Sequence, residues 1–164
     1  MVRGIYRRKF RRSKKRGEGV EKTGCGKGSK RMVIADGRRG LPIAVTVHGA
    51  RSGEILLARS TLESIPTRKK PKRLLGDKVY YSEPHKRQFQ ELFKTELIVA
   101  PKKCYRHVRR DRRKLRRLKR RWKVERLFAW LHFYRRLTTR YERYLLHYEG
   151  FMVLACVIIL LRHL

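Results

Sequence analysis

Acidic residues are scarce in this chain: 13 Asp and Glu stand against 46 Lys and Arg in 164 residues, leaving a formal charge of +33 and a pI near 11.3. Such a chain repels itself and attracts polyanions, which narrows its partners to nucleic acid or an anionic membrane. Cysteine is scarce too. Cys25, Cys104 and Cys156 are odd in number, far apart and in no Cys-x-x-Cys pair, so neither a disulfide framework nor a zinc site is indicated. A reducing, cytoplasmic setting fits that usage. The longest apolar run, Phe151 to Leu161, is about half of the roughly 20 residues a membrane span needs. Met1 to Arg16 carries nine basic residues and no apolar stretch, which excludes a secretory signal. Apolar residues are not scarce: at 41% they are too many for a disordered basic tail. The length suits one domain with a core and a basic face.

The texture of the chain divides it at Gly28. Residues 1–28, an Arg-rich start followed by the glycine-rich Gly17 to Gly28, are expected to be flexible. Residues 29–164 are expected to form the domain. Arg31 to Ala35 and Leu41 to Val47 are β-branched and apolar, and Asp36 to Gly40 between them reads as a hairpin loop. Ser52 to Ile65 has helical apolar spacing, with Ser52 as cap. A proline-bearing linker, Thr67 to Lys72, leads to a strand at Arg73 to Asp77. Ser82 to Phe93 reads as a second helix with Pro84 in its first turn, and Glu96 to Ala100 as a further strand. This alternation predicts an α/β fold, a mixed sheet with helices packed on it. Lys102 to Arg121 holds thirteen basic residues and one acid, Asp111. A helix is expected from Arg112 onward, with Leu115, Leu118, Trp122, Leu127, Ala129, Trp130 and Phe133 on its apolar period. Tyr141 to Leu164 is expected to close the fold as a buried helix.

Two acids stand out. Asp77 ends a strand, and ligand sites of α/β sheets lie at the carboxyl ends of strands; caps and turn formers occupy such places as well. Glu125 is the only acid between Asp111 and Glu142, set among Arg120, Arg121, Lys123 and Arg126 and the aromatics Trp122, Phe128 and Trp130. It is either a site residue or a helix-surface acid relieving repulsion through Arg121 four residues earlier. Asp36, in an Asp-Gly loop, is assigned a backbone role. The basic excess is too large to be only a solvated face, and it predicts duplex DNA binding with steep salt dependence and little reading of sequence.

Four stretches, in order, resemble the DDE transposases of bacterial insertion sequences, in particular the IS-five type. They are Gly26-Lys27-Gly28-Ser29-Lys30 leading to Ala35-Asp36-Gly37 and Gly40-Leu41-Pro42; Leu75-Gly76-Asp77-Lys78-Val79-Tyr80-Tyr81-Ser82; Arg120 to Leu131, continued by Phe133 to Leu137; and Arg140-Tyr141-Glu142-Arg143. The likeness implies a ribonuclease-H-like mixed sheet flanked by helices. It also implies two aspartates and a glutamate holding two Mg²⁺ ions, which activate a water or 3′-hydroxyl for in-line displacement. By position, Asp77 would be the second aspartate and Glu125 the glutamate, both catalytic and metal-ligating. Lys78, Arg120, Arg121, Lys123, Arg126, Arg135 and Arg136 would contact DNA. In the family pattern Tyr-x₂-Arg-x₃-Glu-x₆-Lys, Arg121 and Glu125 match, while Leu118 and His132 replace the Tyr and Lys. Arg135 or Arg136 would take over the contact of that Lys.

The first aspartate has no counterpart. Counting back from Gly17-Glu18-Gly19 puts its place near Arg7 or Arg8, and no acid precedes Glu18; Glu18, Glu21 and Asp36 are the poor substitutes. The Arg-rich start does not look like a first strand. The expectation is therefore a DDE domain lacking part of its first strand, through truncation, a misplaced start or a frameshifted gene, and inactive on its own. Its partners would be double-stranded DNA, at insertion-sequence ends and target, with a homodimer or the product of an upstream reading frame as protein partner. No membrane association is expected, since Met152 to Leu161 has no polar face; the setting would be the bacterial cytoplasm and nucleoid. The alternative is a non-catalytic, basic nucleic-acid-binding protein, which would have no reason to bring Asp77 and Glu125 together.

Overall fold

Strand β3, Gly26–Asp36, is buried along nearly all its length, because both faces of the sheet are covered. Val33 and Ala35 enter one core cluster with Val124, Leu127, Phe128, Tyr148 and Met152. Met32 and Ile34 enter a second with Leu57, Leu62, Leu74 and Phe89. A strand buried on both faces needs a continuous apolar run rather than alternation, and Met32 to Ala35 supply it. A computed structural model describes all residues except 1, 2, 14–16, 25, 68, 69, 78, 79 and 101–111.

The elements follow as β1 (Arg3–Arg12), β2 (Glu21–Thr23), β3, β4 (Pro42–Gly49), α1 (Glu54–Glu63), β5 (Arg73–Leu75), α2 (Glu83–Phe93) and β6 (Glu96–Ile98). Then come α3 (Arg112–Leu118), a 3₁₀ turn (Lys119–Arg121), α4 (Trp122–His132), α5 (Arg135–Thr138) and α6 (Leu145–Leu161). The six strands form one sheet in the order β2-β3-β1-β5-β6, with β4 also paired to β3. β1 is antiparallel to β3 and parallel to β5, and β5 is parallel to β6. This is the mixed α/β sheet expected, with α1 and α2 on one face and α4 and α6 on the other.

The start of the chain requires a correction. Residues 3–12, expected to be flexible and unlike a first strand, form the central strand of the sheet, in register with β3 from Gly4↔Asp36 to Arg12↔Gly28. Only Ile5, Tyr6 and Phe10 are apolar there, so no side-chain pattern announces a strand. Two flanking partners impose one, because strand preference follows context more than identity. The glycine-rich stretch is ordered as well. Gly17 to Val20 turn into β2, and the Ser29 hydroxyl donates to the Gly19 carbonyl at 2.9 Å.

What holds that stretch is Arg140, fully buried. Its guanidinium donates to Ser29 Oγ at 2.5 Å, to the Glu18 carbonyl at 2.6 Å and to the Glu142 carbonyl at 3.1 Å, and lies over the Tyr148 ring at 5.5 Å. One side chain thus joins β3, the turn before β2 and the entry to α6. Arg31, also fully buried, donates to the Leu137 carbonyl at 3.2 Å and covers Phe128.

Several finer expectations also shift. Ser52 does not cap α1; Gly53 holds that position without a side-chain bond. Ser82 does hold the N-cap position of α2, though its hydroxyl pairs with His85 Nδ1 at 2.7 Å and not with the helix backbone. Leu92, Trp122, Ala129 and Phe133 are exposed, and α4 instead buries Val124, Leu127, Phe128 and Leu131. Helix α6 is buried only along Tyr148, Met152, Ala155, Cys156 and Ile159; Leu146, Val153, Leu154, Val157 and Leu161 face outward. Burial pushes the Cys156 thiol up to about 12, against the pull of Arg31, so this cysteine is an inert core group. No helix among the described residues is long and apolar enough to cross a membrane.

Two outcomes follow from this packing. Replacing Arg140 by Met should destabilise the chain by roughly 3 kcal/mol or more, since several charge-assisted bonds at about 1.5–3 kcal/mol each disappear. Arg140→Lys should recover little of it, as one ammonium cannot span three separated acceptors. Urea unfolding of the two variants measures both. The second outcome concerns Glu149. Burial raises its pKa, although the Val47 backbone N–H donates to it. A carboxyl whose folded pKa lies above its unfolded one costs stability while charged, and that cost vanishes as pH falls through the folded pKa. Glu149→Gln should therefore raise the melting temperature at neutral pH, with a gain that shrinks on acidification. A constant gain across pH would show that the charge is not responsible.

Candidate active site

The parallel pair β5–β6 ends in a close approach. Gly76 donates its N–H to the Ile98 carbonyl at 3.0 Å, and a Cβ on Gly76 would stand 2.9 Å from Val99 Cγ1. Glycine alone lets the chain pass there. The next residue, Asp77, is half-buried just beyond the carboxyl end of β5, with its carbonyl accepting the Tyr80 N–H at 3.0 Å. The carboxylate faces Arg121: Nη1 lies 3.2 Å from Oδ1. Each side chain of that pair is about a third exposed (34% and 38%), so the contact orients Asp77 and contributes at most about 1 kcal/mol.

Arg121 immediately precedes α4, and Glu125 stands on the first turn of that helix. Four residues apart, they are neighbours on one helical face, with Cβ atoms about 5–6 Å apart. The structure therefore brings Asp77 and Arg121 into contact and sets Glu125 one helical turn along from that contact.

What fixes α4 at this place is a clamp on the β3–β4 loop. The Asp36 carboxylate accepts the N–H groups of Arg38 and Arg39, both at 2.9 Å, in the backbone role assigned to it. The loop carbonyls are taken by α4: Lys123 Nζ donates to Gly37 O at 3.1 Å and to Arg38 O, and Arg126 Nη2 to Arg39 O. The Arg126 guanidinium is sandwiched between Trp122 at 5.0 Å and Trp130 at 4.8 Å. Gly40, at φ +74°, sits against Lys123, where a Cβ would meet Lys123 Cβ at 3.1 Å. Positive φ and contact together demand glycine. The dense motif from Trp122 to Trp130 is thus largely an anchor, and it places Lys123 and Arg126 on the loop.

Lys78 lies outside the described residues. Arg120 and Arg135 are exposed. Arg136 pairs with Glu142 at 3.3 Å and covers the Phe151 ring. Arg135 and Arg136, with Thr138, Thr139 and Tyr141, line an open groove of roughly 590 Å³. Most of the basic run before Arg112 is likewise outside the described residues; within α3, Lys114 bonds Glu96 at 2.9 Å. Burial pushes the Glu96 carboxyl up, but Lys114 and Arg73 together hold it below its ordinary value. Glu18 and Glu21 have structural partners: Glu18 Oε2 accepts the Leu145 N–H at 3.0 Å at the start of α6, and Glu21 accepts the Arg51 N–H.

Arg31 and Arg140 escape sequence reasoning, for which a buried arginine looks like any other basic residue. Of the two, Arg140 falls in a stretch, Arg140 to Arg143, that carries the family resemblance.

Two Mg²⁺ ions need several carboxylate oxygens between them. Here Asp77 is ion-paired to Arg121, and no three His, Cys, Asp or Glu side chains cluster as metal ligands among the described residues. The donor set does not fit a two-ion centre.

Comparison with known proteins points to one family. Residues 6–160 match the family described as Transposase DDE domain. A putative transposase for insertion sequence element IS402 of Burkholderia cepacia is 30% identical over 140 residues, covering 80% of this chain. The chain spans 62% of that relative's length. A cryo-EM structure of a piggyBac transposase synaptic complex with hairpin DNA covers 68% of this chain and 26% of its own, at 11% identity and a TM-score of 0.46. Matched to that family model over residues 6–160, nearly its whole length, the chain belongs to the Transposase DDE domain family.

Proposed function

We propose that this chain is a transposase domain that binds duplex DNA along the surface carrying Arg120, Arg121, Arg135 and Arg136, and positions a phosphodiester at Asp77, Arg121 and Glu125. The supporting observation is the Asp77–Arg121 contact at the carboxyl end of β5, with Glu125 on the next turn of the same helix. Arg120, next to Arg121 in the chain, and Arg135 and Arg136, past the far end of α4, are exposed and supply the positive potential that a phosphate backbone requires. Arg121 offers a planar fork suited to phosphate oxygens. In the complete family site Mg²⁺ would supply Lewis-acid activation of the attacking and leaving oxygens. The donors present do not fit it, so the reading carries no cleavage step. DNA capture and placement are what these residues perform.

A non-catalytic nucleic-acid binder is the second reading, favoured by the same mismatch of donors. The two share an expected outcome for binding. Affinity for a random-sequence duplex should fall by orders of magnitude between roughly 50 and 200 mM salt. Arg120→Glu with Arg135→Glu should flatten the salt slope, because each lost phosphate contact removes about one unit of it. Lys123→Met should instead lower thermal stability through the loop clamp. Fluorescence anisotropy and melting curves separate the two effects. Affinity indifferent to salt would remove the basis of the proposal.

A further inference from the structure

Helix α6 turns only one of its faces to the core. Tyr148, Met152, Ala155, Cys156 and Ile159 are buried there, while Leu146, Val153, Leu154, Val157, Leu160 and Leu161 are exposed by 37% to 74%. The exposed six recur at spacings of three, four and seven residues, so they form one stripe on the side of the helix away from the core. Together they leave on the order of 600 Å² of apolar surface in water, the upper end of what a monomeric protein exposes in one patch. Along one flank of the stripe runs a groove of roughly 270 Å³, lined by Ile43 and Val45 of β4, by Pro66 beyond α1, and by Val153, Val157 and Leu160 of α6. None of its described lining residues is charged. The groove on the other flank differs, since Arg135 and Arg136 help to line it.

We propose that the stripe and the uncharged groove beside it are where a second copy of this chain docks, with α6 of each copy entering the groove of the other. Charge decides the place. Two copies of +33 each repel one another over most of their surfaces. From Tyr144 to Leu161, however, the chain has no Lys or Arg and a single acid, Glu149, although 36% of all its residues are charged. Copies meeting here bring no cation against a cation. A partner of opposite charge would be drawn to the cationic surfaces instead. Shape agrees with charge: a two-fold interface uses the same patch on both partners, so the patch must complement itself. A ridge of Leu and Val beside an apolar groove does so. With the groove walls added, the stripe approaches the area of about 800 Å² that each partner contributes to an interface of standard size. The inference is independent of the DNA-binding reading above.

Sedimentation of the full chain, freed of nucleic acid by nuclease, tests it. Interfaces of this size bind with micromolar or tighter dissociation constants, so a dimer should be present at roughly 50 µM protein. Its dissociation constant should fall by about tenfold or more between roughly 0.1 and 1 M salt, as the Debye length shortens from about 10 Å to about 3 Å and the repulsion is screened. DNA binding moves the opposite way with salt. Val157→Lys should leave the chain monomeric throughout that range, with an unchanged melting temperature, because position 157 is 44% exposed in the single copy and surface changes cost a fold little. Leu161→Lys, near the end of the helix, should do the same, and serves if the first variant does not fold.

A chain that stays monomeric at 1 M salt overturns the proposal. So does a dimer that loosens as salt rises, or one that both lysine variants leave intact, since the copies would then meet elsewhere. Phosphatidylcholine vesicles separate a lipid surface from a second copy. The dimer should not float with them; a monomer that floats, and loses the ability on Val157→Lys, would give the face to a membrane and overturn the proposal.

Discussion

Backbone carbonyl oxygens act as the counter-charges of this protein. With 46 cationic side chains and only 13 acidic ones, the cations at the key packing points cannot all be met by carboxylates. They are met by peptide groups: Arg140 by Glu18 and Glu142, Arg31 by Leu137, Lys30 by Ser52, Lys70 by Glu63 and Ile65, Lys123 by Gly37, and Arg126 by Arg39. A carbonyl brings no desolvation penalty of a full ion, yet a guanidinium or ammonium donated to it makes a bond of the stronger, charge-assisted kind. The arrangement also leaves the few acids, Asp77 and Glu125 among them, free of that task.

Position in the site descends from those contacts. The β3–β4 loop turns its carbonyls outward because Asp36 gathers the N–H groups inward, and α4 reads those carbonyls through Lys123 and Arg126. The helix is thereby set along the sheet with Arg121 against Asp77. Arg140 performs the corresponding task at the other end of α5, joining the approach to α6 with the start of β3. Between them the two anchors hold α4, α5 and α6 on the face of the sheet that bears the candidate site.

The parts legible in the sequence were those where side-chain pattern and environment agree. Met32 to Ala35, the hairpin loop and α1 are local, and the apolar residues announce them. The place of Asp77 just past the end of β5 was legible because Leu74 and Leu75 form a short apolar run before it. The first strand was not, since Arg3–Arg12 owes its conformation to pairing with β3 and β5 and not to its own residues. The roles of Lys123 and Arg126 were missed for a related reason. A cation bonded to a carbonyl and one awaiting a phosphate look alike in a sequence, and only the neighbouring loop distinguishes them. For α6, the apolar run told of burial, but a helix on the outside of a two-layer face can bury only one side.

The loop from Asp36 to Gly40 carries a consequence for how sequences of this kind can vary. Surface hairpin loops ordinarily tolerate insertions and deletions, because their tips touch nothing. This one is gripped by a helix across the sheet, with Gly40 pressed against Lys123. Adding or removing one residue would carry Gly37 and Arg39 out of reach of their cations and let α4 swing at its first turn, where Arg121 and Glu125 stand. Length, more than composition, is then the conserved quantity to be expected in this loop: a functional chain can exchange Arg38 freely, but it cannot count differently between Asp36 and Gly40.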